Sequence, residues 1–351
     1  PYTIGLVLVG IILSFCCSKL RVDTSGIQLT PDLIMYILLP ALIFESSVHI
    51  DTRAMMCNIV PTLVLAAPGL VISTLVVGGV MFVTTPLNIA AAMLFGALIS
   101  ATDPVAVIAL FKEIGAPKRL TMLVDGESLF NDATAIVMFN IIKGIAFSGI
   151  AVGFSTCLGG TFDFFWVFFA GLLVGAAVGG IMILIISRVI NEPLLQIALS
   201  TIVAYTAFII ADKIFGVSGV MAAVGAGVVI SYYGNTHFNV EVKQYMEQFW
   251  AFTSFVANSF IFLMLGFTQS IMFVDLANYK PLLSYIGYAV LAITVARAIV
   301  VFALCPIIGM IRRQDEIDWK YQTVIFWGGL RGAVPMALVL SLPESFASRE
   351  L

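Results

Sequence analysis

The feature that most constrains the fold of this chain is a series of long apolar segments separated by turn residues and charges. About eleven such segments follow one another, near positions 2–17, 31–49, 54–83, 87–114, 118–148, 161–188, 191–213, 216–234, 241–273, 280–311 and 317–341. Most contain the ~20 residues that an α-helix needs to cross the hydrocarbon core of a bilayer. The strict alternation of barrel strands is missing from the sequence. We therefore predict an all-α polytopic membrane protein with about eleven transmembrane helices.

Composition supports this class and excludes several others. The 351 residues are 61% hydrophobic and 11% charged, whereas soluble domains carry about 25% charged residues. No basic patch suggests a nucleic-acid partner, and the five cysteines show no metal-site or disulfide spacing. We expect no cofactor. Because the chain starts and stops inside or beside apolar segments, we expect a piece of a longer protein, cut at both ends.

The positions of the basic residues predict the orientation in the membrane. All but two of the 17 Lys and Arg residues fall in loops or at segment ends, and the exceptions are Arg297 and Arg331. The two richest loops are "KEIGAPKR" (112–119) and "RRQDEIDWK" (312–320). The positive-inside rule places both loops in the cytoplasm.

Several carboxylates are predicted to lie at membrane depth. They are Glu45, Asp103, Glu127, Asp132 and, near a helix start, Asp125, to which we assign no role. A charge at the bilayer centre costs at least ~2.5–3.5 kcal/mol, so it needs a partner, a water-filled cavity or a function. Two arginines cannot neutralise all of these acids. The surplus indicates an ion or proton pathway.

Two of the segments are predicted to be interrupted helices. "ISATDPVAVIALF" (99–111) carries Pro104 in its middle, and "WGGLRGAVP" (327–335) surrounds Arg331 with glycines before a proline. Proline removes a helical hydrogen bond, and glycine weakens a helix. The alternative is a pair of simple proline kinks. Interrupted helices in corresponding halves of a transporter indicate a binding site at mid-membrane, where Asp103 suits exposed N–H groups and Arg331 suits exposed carbonyls.

The stretch "VDGESLFNDATAIV" (124–137) predicts one polar side on a membrane helix. At ~100° per residue, one side collects five polar groups: Asp125, Glu127, Ser128, Asn131 and Asp132. Oxygen ligands of this kind suit a hard cation such as Na⁺ or Li⁺. Zinc is not indicated, since no His or Cys is near. A proton and a cation would compete for one carboxylate, which is the minimum chemistry of an antiporter.

Other interpretations of the same residues remain open at this point. A structural salt-bridge network explains Glu127, with Arg297 as its partner, more easily than it explains Asp103 and Asp132 together. A cation channel needs no group for which protons compete. An intramembrane aspartyl protease is a further alternative. Such enzymes resemble one another in a Gly-x-Gly-Asp motif, and neither Asp103 nor Asp132 stands in such a motif. Another ion-coupled or proton-coupled transporter is a further alternative.

The wording of these motifs resembles a known family. "ALISATDPVAVIALFKEIGAPKRL", "GESLFNDATAIV" and "GGLRGAVPMAL" are similar to the sodium/proton exchangers of the monovalent cation:proton antiporter family, NhaP-like and NHE-like. "LLPALIFESSVHID" (38–51) and "YTIGLVLVG" (2–10) fit the same family, in a form similar to its prokaryotic branch. The resemblance covers essentially the whole chain. It implies an antiporter of Na⁺ (or Li⁺) and H⁺, not an enzyme, in an inverted-repeat fold with two crossed, unwound helices.

The resemblance also implies a cation site. Asp132 would bind either cation or proton. Asp103, Ser128 and the Thr102 backbone would complete the site, and Glu45 would lie nearby through water. The sequence leaves the preference among Na⁺, Li⁺ and K⁺ open.

Four further residues receive supporting roles from the resemblance. Asn131, in an Asn-Asp pair, implies electroneutral one-for-one exchange. Glu127 would pair with Arg297 inside the core. Arg331 would stabilise the crossing of two unwound stretches, one with Thr102 and Asp103 and the other around residues 329–331. Pro104 is a fifth supporting residue, because it interrupts the first helix.

The family resemblance finally implies a division into two domains, a homodimer and a location in the cell membrane. The expected boundaries are 1–53 and 150–274 for a dimerisation scaffold, and 54–149 and 275–351 for a transport core whose last helix is missing. Elevator-like movement of the core against the scaffold would carry the ions. Such proteins contribute to pH regulation.

Overall fold

The protein is built entirely from helices in the part of the chain that the structure describes. The structure is a computed structural model and describes residues 2–20, 30–148, 154–188, 192–273, 280–311, 317–329, 332, 334–340 and 342. No strand is present among these residues. Because no water reaches the bilayer core, helices that satisfy their own backbone groups are the expected solution.

The helices follow the predicted segments closely. In chain order they are α1 (Tyr2–Lys19), α2 (Pro31–Leu33), α3 (Leu39–His49), α4 (Thr52–Cys57), α5 (Ile59–Thr84), α6 (Ile89–Ile99), α7 (Val105–Ile114), α8 (Lys118–Ser148), α9 (Phe154–Ile186), α10 (Pro193–Ile209), α11 (Gly219–His237), α12 (Val240–Phe273), α13 (Lys280–Ile299), α14 (Cys305–Ile311), α15 (Trp319–Trp327) and α16 (Val334–Leu340). Among the described residues there are three π-helical turns: Ile34–Leu38 continues α2 into α3, Ile210–Ile214 extends α10, and Val300–Leu304 joins α13 to α14. The sequence did not predict these turns.

The apolar helices confirm the multi-pass membrane class. Within the described ranges, seven helical stretches are long and apolar enough to cross a membrane, and three further apolar helices are shorter. The short ones are Ile34–His49, Ile89–Ile99 and Gly219–Gly234. Ile89–Ile99 is short because its helix is interrupted, as described below.

One predicted segment is divided differently from the prediction. The sequence predicts a single helix over 54–83, whereas the structure has α4 and α5 meeting at Asn58. The Asp51 carboxylate caps α4 by accepting from the backbone N–H groups of Arg53 and Ala54, at 3.1 and 3.2 Å. The Asn58 backbone leaves helical geometry (φ −110°, ψ 14°), so the chain turns before it enters the membrane.

Helices α9 and α11 pack at very close range through small residues. Gly171, Gly175 and Gly179 recur every four residues on α9, so they share one face. A Cβ atom at these positions would meet Ser218, Ala222 and Ala226, respectively, at the start or within α11. Small residues let membrane helices approach closely. These residues belong to the small-residue runs "GLLVGAAVGG" (171–180) and "GVMAAVGAGVV" (219–229).

Gly175→Ala is expected to destabilise the protein by about 1–3 kcal/mol, the usual cost of overpacking a tight contact. A methyl group there would overlap the Ala222 backbone carbonyl, so the two helices would have to separate. The midpoint of thermal unfolding in detergent measures the effect. Gly180→Ala is the matched control, because nothing lies within 4 Å of a Cβ at that position of the same helix. Equal losses in both variants would contradict the packing argument.

The helices pack in two groups that meet along α8. One group joins α5 to α6, α8 and α13, and the other joins α9 to α11, α1 to α12, and α3 to both α11 and α12. Helix α8 also touches α9 and α11. This grouping contains no information about movement. The division at 53, 149 and 274 therefore stays a prediction.

Candidate functional site

The first interruption lies between α6 and α7. Helix α6 ends at Ile99 and α7 begins at Val105, and residues 101–104 between them are not helical. Pro104 adopts φ −93° and ψ 1° directly before α7. Since proline cannot supply the helical N–H, the break falls where the sequence predicts it. Four residues leave the helix, so the alternative of a simple kink is wrong here.

The second interruption lies between α15 and α16 and runs beside the first. Helix α15 ends at Trp327 and α16 begins at Val334, with Gly329 and Gly332 outside helical geometry. A Cβ atom at Gly332 would lie 3.0 Å from both Cβ and Oδ2 of Asp103. The missing side chain of Gly332 thus lets the two unwound segments approach each other. Arg331 lies outside the described residues, so its predicted role at the crossing stays a prediction.

Polar side chains of α8 bind the backbone that the first interruption exposes. The Ser128 hydroxyl donates to the Thr102 carbonyl at 2.8 Å. The Asn131 amide donates to the Thr102 hydroxyl at 3.1 Å and to the Ser100 carbonyl at 3.4 Å. Both side chains are buried, at 7% and 3% exposure. A buried carbonyl without a partner costs free energy, so α8 supplies hydrogen bonds that the broken helix cannot make.

Two carboxylates flank this network. Asp103 belongs to the unwound segment and Asp132 to α8, and both are partly buried. The Asp103 charge acts electrostatically on Asp132. In the described part of the chain, Asp132 makes no hydrogen bond and no ion pair. Binding of a cation or a proton by these two carboxylates stays a prediction.

Glu127 forms the ion pair that the sequence predicts. Its carboxylate accepts two hydrogen bonds from the Arg297 guanidinium, one from Nη1 and one from Nη2, the latter at 3.3 Å. Arg297 Nη2 also donates to the Ile325 carbonyl at 3.1 Å. Glu127 is 2% exposed and Arg297 is 8% exposed. The pair therefore ties α8, α13 and the end of α15 together, next to Gly329, which packs against the guanidinium.

Glu45 contacts groups that the sequence did not associate with it. Its carboxylate lies 3.4 Å from His49 Nδ1 and accepts from the Ser46 hydroxyl at 3.3 Å. The Ser254 side chain of α12 lies beside the same carboxylate. The structure thus places Glu45 on the side of α3 that faces α12. A water-mediated contact with the Asp132 region stays a prediction.

Some members of the site are backbone groups that sequence reasoning missed. The carbonyls of Ser100 and Ile325 accept hydrogen bonds from Asn131 and Arg297, and Gly332 matters because it has no side chain. Every residue has a carbonyl, so no sequence signal marks the one that a partner will use. Asp125, which had no predicted role, is partly buried on α8.

The donor set suits a monovalent cation better than a structural metal. The predicted ligands are carboxylate, hydroxyl and carbonyl oxygens, which hard cations prefer. No group of three or more His, Cys, Asp or Glu side chains that could hold a metal ion occurs among the described residues.

Crossed, interrupted membrane helices beside a carboxylate-bearing helix define the inverted-repeat fold of secondary transporters. Comparison with known proteins identifies the family within that class. Residues 1–351 match the family described as "Sodium/hydrogen exchanger, transmembrane". The chain belongs to the sodium/hydrogen exchanger family, a family of transporters and not of enzymes.

Individual relatives agree with this assignment. The chain is 36% identical over 352 residues to the Na⁺/H⁺ antiporter ApNhaP of Aphanothece halophytica, covering 100% of this chain and 64% of that protein. It is 37% identical over 354 residues to the low-affinity Na⁺/H⁺ antiporter NhaS1 of Synechocystis sp., again covering 100% and 64%. The chain thus spans less than two thirds of the length of these relatives. The sources of these two relatives agree with the prediction that the chain is a prokaryotic-type member of the family.

A solved structure has the same fold. The sodium proton antiporter MjNhaP1 from Methanocaldococcus jannaschii at pH 8 superposes with a TM-score of 0.70. The match covers 97% of this chain and 85% of that chain at 21% sequence identity. At this identity the likeness establishes the fold, and it confirms the predicted antiporter architecture.

Proposed function

We propose that the protein exchanges Na⁺, or Li⁺, for H⁺ across a membrane. The observation that carries the proposal is the placement of Asp132 beside Asp103 and the unwound backbone, without an ion pair among the described residues. An intramembrane carboxylate of this kind indicates an ion or proton pathway. The names of the relatives, which are Na⁺/H⁺ antiporters, point to the same ions.

Cation and proton compete for Asp132 in the proposed mechanism. The deprotonated carboxylate binds the cation together with Asp103, the Ser128 hydroxyl and the Thr102 backbone. Protonation removes the charge and releases the cation. The Ser128 and Asn131 hydrogen bonds support this scheme because they hold the unwound segment against α8.

Transport by the whole protein in sealed proteoliposomes tests the proposal. An outward proton gradient should drive uptake of ²²Na⁺ that saturates with Na⁺. Because protons compete for the same carboxylate, the half-saturating Na⁺ concentration should rise by up to about tenfold per pH unit on the acidic side. Unlabelled Li⁺ and K⁺ as competitors define the preference. Single-channel cation currents, or uptake that does not respond to the proton gradient, would defeat the proposal.

Asn131 is proposed to make the exchange electroneutral, one cation for one proton. Its side chain is a neutral amide that donates to the unwound segment, so only one carboxylate of the Asn-Asp pair changes its charge. Asn131→Asp adds a second titratable group. We expect transport by this variant to become sensitive to an imposed membrane potential while wild-type transport is not. Asn131→Ser, which adds no charge, is the control, and voltage-insensitive transport by Asn131→Asp would remove Asn131 from this role.

The remaining proposals concern movement and assembly. We propose that helices 54–149 and 275–351 move as a transport core against a scaffold of 1–53 and 150–274, in an elevator-type cycle within a homodimer in the cell membrane. The separate packing of the two helix groups supports this division. Light scattering of the detergent-solubilised protein measures the subunit number, and a monomeric particle would contradict the dimer.

A further inference from the structure

A cavity separate from the proposed cation site opens at the start of α8. Its volume is about 800 Å³, within the ~300–1,000 Å³ typical of sites for small molecules. Residues of three elements line it: the α4 region, the end of α7 and the first turn of α8. None of the residues proposed to bind the cation lines it. Asp132 lies 14 residues further along α8, roughly 21 Å at 1.5 Å per residue.

Two adjacent basic residues dominate the charge of this cavity. Lys118 and Arg119 both line it and both are exposed. Arg119 Nε donates to Asn58 Oδ1 at 3.0 Å, and Asn58 is itself anchored by donating to the Ala54 carbonyl at 2.9 Å. Asn58 is 9% exposed. The Arg119 guanidinium is therefore held at the cavity by a buried amide, which lowers the entropy cost of using it to bind a ligand.

The acidic residue of the cavity is already engaged. Asp51 is the carboxylate in the lining, and it accepts two backbone N–H bonds at the start of α4. A carboxylate that caps a helix interacts favourably with the positive end of the helix dipole. Its charge is thus partly compensated, and the two cations define the net charge toward a ligand.

The rest of the lining is largely apolar. Ala54, Ala116 and Met122, which are all partly exposed, contribute to the wall. A bare anion would leave this apolar surface unused. A ligand that joins an anionic group to a larger organic part matches both regions.

We propose that this cavity binds a phosphate-bearing ligand through Lys118 and Arg119. Arginine forms paired, charge-assisted hydrogen bonds with phosphate oxygens, and lysine adds a point charge. A soluble phosphate compound and a lipid headgroup offer the same chemistry here. The proposal goes beyond the proposed transport and does not depend on it.

Isothermal titration calorimetry of the whole protein in uncharged detergent tests the proposal, with inorganic pyrophosphate as the probe at constant ionic strength. Lys118→Gln/Arg119→Gln should weaken pyrophosphate binding at least about tenfold. Lys19→Gln/Lys320→Gln removes two exposed cations outside the cavity and should change the affinity less than about twofold. Arg119→Lys keeps the charge but loses the paired hydrogen bonds. Its pyrophosphate affinity should lie between those of the two double variants.

A second measurement distinguishes the source of the phosphate. Pyrophosphate affinity is compared in nanodiscs of phosphatidylcholine with one tenth phosphatidic acid or one tenth phosphatidylglycerol. If pyrophosphate binds more weakly in the phosphatidic acid nanodiscs than in the phosphatidylglycerol nanodiscs, a lipid headgroup is the occupant. If its affinity is the same in both, the occupant is a soluble ligand. Absence of binding by the wild type, or equal binding by the Lys118→Gln/Arg119→Gln variant, would overturn the proposal. Asp132→Asn should bind pyrophosphate normally, which separates this result from a failure of the transport proposal.

Discussion

Asp132→Asn is expected to reduce proton-driven Na⁺ uptake by about a hundredfold. The amide cannot ionise, so it can neither take up the proton nor offer a negative charge to the cation. Losing an interaction with a charged group costs up to ~3 kcal/mol, and each 1.4 kcal/mol is about tenfold. The asparagine has nearly the same shape, so the thermal midpoint should stay within a few degrees of the wild type.

The variant and the wild type are compared by their initial rates of ²²Na⁺ uptake into proteoliposomes at equal protein content. Asp163→Asn is the matched control, since Asp163 is exposed on α9, and it should transport like the wild type. Asp103→Asn should raise the half-saturating Na⁺ concentration while it retains some transport, because Asp132 still titrates. Exchange that survives in Asp132→Asn would remove this residue from the proposed mechanism.

Glu127→Gln is expected to be the most destabilising single change to the charged groups inside the protein. It leaves the Arg297 guanidinium at 8% exposure without a counter-ion. Removing one partner of a buried ion pair costs ~3–5 kcal/mol. We expect the midpoint of thermal unfolding to fall by roughly 10 °C, with a loss of folded protein on expression.

Two further variants separate the ion pair from other effects. Glu127→Gln/Arg297→Gln removes both charges and should recover part of the lost stability, because no charge is then buried alone. Asp212→Asn breaks an exposed pair with Lys213, whose atoms are 3.5 Å apart with side chains 37% and 60% exposed, and should barely change the midpoint. A Glu127→Gln midpoint equal to that of Asp212→Asn would show that the buried pair is not a stability element.

Much of the fold follows from the sequence because the bilayer leaves few choices. A chain of ~20-residue apolar segments must form helices, since every backbone group needs a partner inside the segment. Pro104 likewise fixes the first interruption, because its ring cannot continue the hydrogen-bond pattern. The boundaries that differ, such as the division at Asn58, depend on side-chain caps that the apolar pattern does not report.

Part of the candidate site could also be predicted from the sequence. Helical periodicity puts Glu127, Ser128, Asn131 and Asp132 on one side of α8, and charge counting pairs Glu127 with Arg297. The structure shows that pair and shows Ser128 and Asn131 at the interrupted helix. Periodicity gives the direction of a side chain around its own axis. It does not give the neighbour that the side chain meets.

The sequence by itself therefore determined the class, the helices, the interruptions and the polar face of α8, all of which are local consequences of composition and spacing. Only the tertiary structure decided which carbonyls Ser128 and Asn131 bind, that Gly332 lies against Asp103, and that Glu45 faces Ser254 on α12. These contacts join residues far apart in the chain. Their geometry depends on how whole helices pack against one another, a property of the complete core rather than of any one segment.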